Sequence, residues 1–280
     1  MKIETAINNG SIELKKNAIK SSRLDSEILL SKVLNKDRKF IILNSEGIIK
    51  NDNYECFKNL IKERTKGKPI AYMIGKKYFW KYEFEVSKNV LIPRPDTEII
   101  IENILDVFRH KKELSFLDVG TGSGCILLSI LKEKKNYLGT GIDLSDDCIK
   151  LSKINAKKLS VTNRAKFFKS DIDNFNIGKY DLIISNPPYI KKLDLKYLDK
   201  EILNFEPRLA LDGGLDGLSE IRKVIAKSSE LIKKNGKLIL EIAFDQKYEV
   251  KEILKNNGFY IERIVKDLSK NERCIISTKI

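Results

Sequence analysis

Apolar residues recur at two different periods along this chain, and the change of period divides it. From residue 1 to about 75 the spacing is helical. Leu24, Ile28, Leu29 and Val33 make one stripe, and Tyr54, Phe57, Leu60, Ile61 and Arg64 make a second. Asn44-Ser45-Glu46-Gly47 and Lys66-Gly67-Lys68-Pro69 break the pattern between helices. The stretch Lys77–Val86 is aromatic and alternates, which predicts a strand pair. Pro93-Arg94-Pro95 stops it, and Asp96 or Thr97 is placed to cap a helix running from Glu98 to about Arg109.

Beyond Ser115, short apolar runs alternate with amphipathic stretches. Strands are predicted at Ser115–Val119, Tyr137–Asp143, Lys166–Lys169, Tyr180–Ser185, Lys237–Ile242, Tyr260–Val265 and Cys274–Thr278. Helices are predicted near 124–134, 145–158, 217–234 and 246–256. Such alternation specifies an α/β fold with a doubly wound, mostly parallel sheet. The Lys266–Arg273 connection is too short for a parallel crossover, so the last two strands should form an antiparallel hairpin. Three parts follow: a helical bundle over 1–75, a β-hairpin connector over 76–92, and an α/β domain over 93–280.

The net charge of +14 allows an acidic or nucleic-acid partner, but the lysines are spread over the whole chain. Cys56, Cys125, Cys148 and Cys274 are scattered, and the one histidine is His110, so neither a disulfide framework nor a metal site is expected. Unpaired cysteines suit the reducing cytoplasm. No leader-like start and no apolar run of membrane-spanning length is present, so no membrane association is expected.

Two loops carry candidate chemistry. The first strand ends in Leu117-Asp118-Val119-Gly120-Thr121-Gly122-Ser123-Gly124 and leads into an apolar helix. Glycines permit a tight turn and close approach of a ligand to the backbone, and the following helix start offers free N–H groups. Asp143, at the end of the second strand, can accept from both hydroxyls of a ribose. The third glycine of a nicotinamide-type loop would fall at Cys125, and the GK[ST] ending of a phosphate loop is missing. After the third strand, Asp171 can take an exocyclic amine and Ile172 can pack on a ring.

The second loop is Asn186-Pro187-Pro188-Tyr189, which follows the buried-looking strand Tyr180–Ser185. Two prolines fix φ and lack N–H groups, leaving a stiff turn with free carbonyls. Asn186 adds a donor and an acceptor, and Tyr189 a flat face. The loop suits a planar NH2 group aimed at an electrophile, with rate coming from positioning and electrostatics. By itself it leaves a carboxamide and a nucleobase amine both open.

Together with the GxGxG loop, this loop resembles amino-methyltransferases of the seven-stranded class. Leu91-Ile92-Pro93-Arg94-Pro95-Asp96-Thr97-Glu98, the block Glu206–Leu218, and Arg23–Leu30 extend the likeness to nearly the whole chain. In these the chain is similar to the bacterial peptide chain release factor glutamine methyltransferases. The resemblance implies a class I S-adenosylmethionine-dependent methyltransferase fold, a seven-stranded sheet with a terminal antiparallel hairpin, behind an N-terminal helical bundle. It implies S-adenosylmethionine as cofactor, held by Gly120, Thr121, Gly122, Ser123, Gly124, Asp143, Asp171, Ile172 and Asn186. It implies a catalytic and substrate-binding set of Asn186, Pro187, Pro188 and Tyr189, and a lid at Arg94, Pro95 and Thr97. The implied substrate is the glutamine of the Gly-Gly-Gln loop of class I release factors, gripped elsewhere by the helical bundle, with no direct nucleic-acid binding. An N6-adenine DNA or RNA methyltransferase shares a Pro-Pro-aromatic loop and is the main alternative. A ribosomal-protein glutamine methyltransferase is the other.

Overall fold

The computed structural model describes residues 1–280. The chain divides into two compact units, residues 1–76 with 199–205, and residues 77–198 with 206–280.

The smaller unit is helical. Its elements are α1 (Ile3–Lys16), α2 (Ser22–Leu34), α3 (Arg38–Leu43), α4 (Asn51–Thr65) and α5 (Ile70–Ile74). Ile3, Ile7, Leu14, Leu29, Leu30 and Phe57 fill its core. Gly10 sets the helix spacing, because a Cβ there would sit 2.6 Å from Ser26 Oγ and 2.7 Å from the Phe57 ring. The stripe expected on α2 holds at Leu29 and Val33, which pack in this core, but fails at its start. Leu24 is 43% exposed, while Asp25, Ser26 and Glu27 are buried. Each of these buried polar groups has a partner, which permits its burial. Arg64 Nε donates to Asp25 Oδ2 at 2.7 Å, Arg23 and Arg38 both donate to Glu27, and Ser26 Oγ donates to the Ile7 carbonyl. Arg64 Nη1 also donates to Glu201 Oε2 at 3.0 Å, from the short helix Lys200–Phe205. No apolar periodicity predicted that this piece of downstream sequence belongs to the helical unit.

The larger unit begins with the hairpin β1 (Lys76–Phe79) and β2 (Tyr82–Glu85), turned at Trp80 with φ 57°. There follow α6 (Glu98–Val107), β3 (Leu114–Val119), α7 (Cys125–Glu133), β4 (Tyr137–Asp143), α8 (Asp146–Lys158), β5 (Ala165–Lys169) and β6 (Tyr180–Ser185). After Lys200–Phe205, which is α9, come α10 (Ser219–Leu231), β7 (Ile232–Glu241), α11 (Lys247–Asn256), β8 (Phe259–Lys266) and β9 (Glu272–Lys279).

The seven strands β3 to β9 form one sheet in the order β5-β4-β3-β6-β7-β9-β8. The pairings among β5, β4, β3, β6 and β7 are parallel, and β9 runs antiparallel to both its neighbours. Alternate residues of each strand enter opposite cores, as pleating requires. Phe116, Leu182, Ile184, Ile239 and Ile276 pack with α6, α7 and α8 on one face. Leu117, Val119, Ile183, Leu238, Leu240 and Ile275 pack with α10 and α11 on the other. Both faces are covered, so the central strands read as continuous apolar runs rather than alternating ones. Chain order reverses about β3, and the loops after β3, β4, β5, β6 and β7 all leave the same carboxyl edge. Ligands of open α/β sheets bind at that switch point. No helix is long and apolar enough to cross a membrane.

Candidate active site

The glycine loop after β3 is shaped by its own backbone. Gly120, Gly122 and Gly124 have φ of 73°, 56° and 79°. The amides of Gly120 and Thr121 both donate to the Ile142 carbonyl, at 2.9 and 3.0 Å. Gly122 N donates to Asp143 Oδ2 at 2.9 Å, and Ser145 N donates to Asp143 Oδ1 at 2.9 Å. Asp143 is thus held rigidly at the end of β4. Gly124 serves packing instead. A Cβ there would lie 2.9 Å from Leu128 Cδ1 and 3.2 Å from Ser152 Cβ, so its absence lets the loop settle against α7 and α8.

Below the loop, Asp118 is almost wholly buried. Its Oδ2 accepts from Thr121 Oγ1 at 2.7 Å, and its Oδ1 has no partner. Burial pushes its pKa up to about 7, against the pull of the Thr121 hydroxyl.

A cavity of about 380 Å³ opens at the carboxyl edge. Gly120, Thr121, Gly122, Ser123, Asp143, Asp171, Ile172, Asn186, Pro187 and Pro188 all line it. Gly124 and Tyr189, which the sequence placed in the same set, do not. Arg94 and Thr97 also line it, whereas Pro95 does not.

The Asn186 loop is held by residues remote in sequence. Asn186 Nδ2 donates to Thr97 Oγ1 at 3.1 Å. Thr97 precedes α6 and makes no side-chain cap there, contrary to the expectation for Asp96 or Thr97. Its hydroxyl is taken by Asn186 instead. The Tyr189 ring packs on the α10 face of the sheet, and its hydroxyl donates to Glu241 Oε1 at 3.2 Å. Burial, then the Glu241 charge, holds the phenol well above its ordinary pKa. Its aromatic face is therefore spent on the core rather than presented to the cavity.

Gln246 fastens the back of this loop. Its Nε2 donates to the carbonyls of Tyr189 and Gly217, at 3.1 and 2.9 Å, and its Oε1 accepts from Ala243 N. Residues 189–192 also pair with the block after Glu206: Ile190 N donates to Leu211 O, and Gly213 N donates to Ile190 O at 2.8 Å. A Cβ on Gly213 would lie 2.8 Å from Tyr189 Cα, and one on Gly217 2.5 Å from Tyr189 O, which explains the glycines of that block. The two blocks that sequence singled out, 91–98 and 206–218, meet through Arg94 Nη2 and Glu206 Oε1 at 2.5 Å.

Asp118, Glu206, Glu241 and Gln246 were not among the expected site residues. Glu241 had a legible signal: like Asp143, it is an acid ending a buried strand at the carboxyl edge. Gln246 had none, because its partners are backbone groups; Glu206 stood out only as the start of a block, with nothing to name its partner, a distant arginine.

The fold is that of a methyltransferase domain. Residues 110–276 match the family profile described as a methyltransferase domain, and residues 5–75 match the PrmC N-terminal domain. The release factor glutamine methyltransferase of Clostridium acetobutylicum is 37% identical over 282 residues, covering 100% of this chain and 99% of that one. That of Caulobacter vibrioides is 34% identical, covering 95% and 92%. The chain belongs to the release factor glutamine methyltransferase family. It is also 36% identical to the bifunctional methyltransferase of Rickettsia felis, and it spans 58% of the length of that longer protein. Among solved structures, a methyltransferase from Pyrococcus furiosus aligns with TM-score 0.53 and 19% identity, over 79% of this chain and 98% of that one. The ribosomal protein L11 methylase of Lactobacillus delbrueckii aligns with TM-score 0.52 and 18% identity, over 73% and 90%. At such identities the two structures speak to the fold alone.

Proposed function

We propose that this chain transfers a methyl group from S-adenosylmethionine to the side-chain amide nitrogen of the Gly-Gly-Gln glutamine in class I peptide chain release factors. One observation carries this reading: the glycine loop with Asp143, and Asn186-Pro187-Pro188, line the same cavity. The family membership supports the choice of a glutamine amide over an adenine.

The residues present fit the cofactor. The missing Cβ of Gly120 would meet nothing within 4 Å, so its backbone is open to a ligand. Each Asp143 oxygen accepts one backbone N–H and keeps lone pairs for a ribose hydroxyl. Ile172 offers buried apolar packing beside Asp171 for an adenine ring and its amine. When bound, S-adenosylmethionine supplies an electrophilic sulfonium methyl group.

The chain's own residues then act on the amide. Asn186 has committed Nδ2 to Thr97, so its Oδ1 is left to accept a substrate N–H. The Pro187 carbonyl is the natural second acceptor, since Pro188 brings no competing N–H to this turn. Two accepted N–H bonds hold the nitrogen still and raise its electron density, so positioning and electrostatics carry the rate. Tyr189 stays a phenol and takes no proton; the amide proton leaves to water.

In this reading the helical domain over 1–75 grips the release factor away from the glutamine, the connector over 76–92 follows it, and residues 93–280 carry the chemistry. The protein acts in the cytoplasm and needs no direct nucleic-acid contact. Mass spectrometry of a release factor incubated with the enzyme and S-adenosylmethionine tests the proposal. The expected product carries one added methyl on the Gly-Gly-Gln glutamine. An unmodified glutamine, with label entering another residue or RNA, would overturn it.

A further inference from the structure

We propose that Glu241 and Thr97 form a positioning relay that decides which way the Asn186 side-chain amide faces. The inference rests on the reading of Asn186 as acceptor for the substrate amide.

An asparagine amide has a donor end and an acceptor end of nearly the same shape, so its partners alone choose its orientation. Asn186 Nδ2 meets Thr97 Oγ1 at 3.1 Å. A threonine hydroxyl can accept or donate, so it cannot by itself choose either. The group on its other side makes the choice. Thr97 is buried, and the Glu241 carboxyl lies beside its hydroxyl. Glu241 is 2% exposed; its Oε1 accepts from Tyr189, and its Oε2 is buried and accepts no hydrogen bond. A buried carboxylate oxygen of this kind demands a donor.

An ionised Glu241 only accepts. Thr97 then donates its O–H to Glu241 as a hydrogen bond and can only accept from Asn186. The NH2 end of Asn186 turns to Thr97, and Oδ1 faces the cavity. A protonated Glu241 reverses the chain: its O–H donates to Thr97, Thr97 donates to Asn186 Oδ1, and the asparagine presents N–H groups to a substrate that is itself an N–H donor. Donor then faces donor, and the amide is not held.

The groups facing Glu241 place this switch in an accessible range. Burial, with a smaller push from Asp96, outweighs the downward pull of the Thr97 hydroxyl, the Arg273 charge on β9 and the Tyr189 hydroxyl, and leaves its pKa at about 7. The neighbouring Cys274 on β9 is a neutral thiol, held so by burial and by Glu241.

The test uses the full-length enzyme with release factor, and four substitutions. Thr97→Val keeps the shape and removes the acceptor; kcat should fall about 10²-fold, the scale of a misplaced reacting group. S-adenosylmethionine affinity by calorimetry should stay near the wild-type value, and Thr97→Ser should restore most of kcat. Wild-type kcat should fall as the pH drops through about 7. Glu241→Gln, which cannot ionise and can donate to Thr97, should show the low rate throughout and no such limb. A readout free of chemistry is exchange of the Asn186 side-chain amide protons in ¹⁵N-asparagine-labelled, ligand-free protein. It should be slow in the wild type and faster in Thr97→Val, with Asn186→Asp identifying the resonance. Wild-type kcat and pH profile in both Thr97→Val and Glu241→Gln would overturn the relay, and so would unchanged amide exchange in Thr97→Val. If the wild type does not methylate release factor at all, the functional reading fails instead, and the exchange measurement still decides the relay.

Discussion

The two halves of the cavity are built on different principles. The glycine loop takes its shape from itself and the next strand: its bonds run to Ile142 and Asp143, about one helix away in sequence. The Asn186 loop is stiffened by two prolines but aimed by Thr97, Glu241, Gln246 and the block after Glu206. A cofactor that many enzymes share can be bound by a local motif. On the proposed function, a particular amide nitrogen must be placed to a fraction of an ångström, which takes support from several directions.

The sharpest way to separate the halves is to remove their central polar groups. Asn186→Ala should lower kcat about 10²–10³-fold, the scale for losing one preorganised polar contact in a transition state. Cofactor binding should persist, as measured by calorimetry beside a radiolabelled transfer assay. Near-normal turnover would mean that the substrate half lies elsewhere. Asp143→Ala should do the converse, weakening S-adenosylmethionine binding about 10–100-fold through lost hydrogen bonds to a charged group. At saturating cofactor most of kcat should remain; an unchanged Kd would remove Asp143 from the cofactor half.

Glycine substitutions sharpen the contrast further. Gly217→Ala puts a Cβ 2.5 Å from the Tyr189 carbonyl at φ 78°, and should cost about 2–4 kcal/mol by chemical denaturation. Gly120→Ala meets no atom and should cost only the backbone strain, about 1–2 kcal/mol, while hindering the cofactor. Equal destabilisation by the two would undo the distinction between a packed glycine and an open one.

The smallest effect is on stability against pH. Each half holds one buried acid with a strongly raised pKa, Asp118 and Glu241, both at about 7 mainly through burial. Between about pH 4 and 7 the folded chain keeps protons that the unfolded chain has released. Stability should therefore fall as the pH rises across that window and level off above it. Asp118→Asn and Glu241→Gln should each flatten part of the slope in denaturation series at stepped pH. A slope unchanged in both variants would mean that neither acid is protonated in the folded chain.

The period of the apolar residues carried most of the catalytic fold. Tyr137–Asp143 and Tyr180–Ser185 were legible to the residue, the second because a strand buried on both faces leaves a nearly unbroken apolar run. The antiparallel ending followed from the length of one connection. On α2 the same reasoning held for Leu29 and Val33 but not for Leu24, and ion pairs from Arg64, Arg23 and Arg38 made it tolerable to bury Asp25 and Glu27. Tyr189 read as a substrate platform because an aromatic beside two prolines has no local reason to turn away. Glu241 and the apolar face under α10 supplied the reason.

Periodicity, steric freedom and chain length act over neighbouring residues. They were enough to specify the elements, the sheet with its hairpin, and the glycine loop with its acid before any contact was known. Other outcomes waited on the packed chain. Thr97 leaves its helix cap for Asn186, Gln246 and two glycines buttress Tyr189, and Lys200–Phe205 joins the helical unit. Each of these turns on how a buried polar group finds a partner. A hydrogen bond between residues 89 apart, like Asn186 to Thr97, leaves no trace in local pattern until the chain has folded.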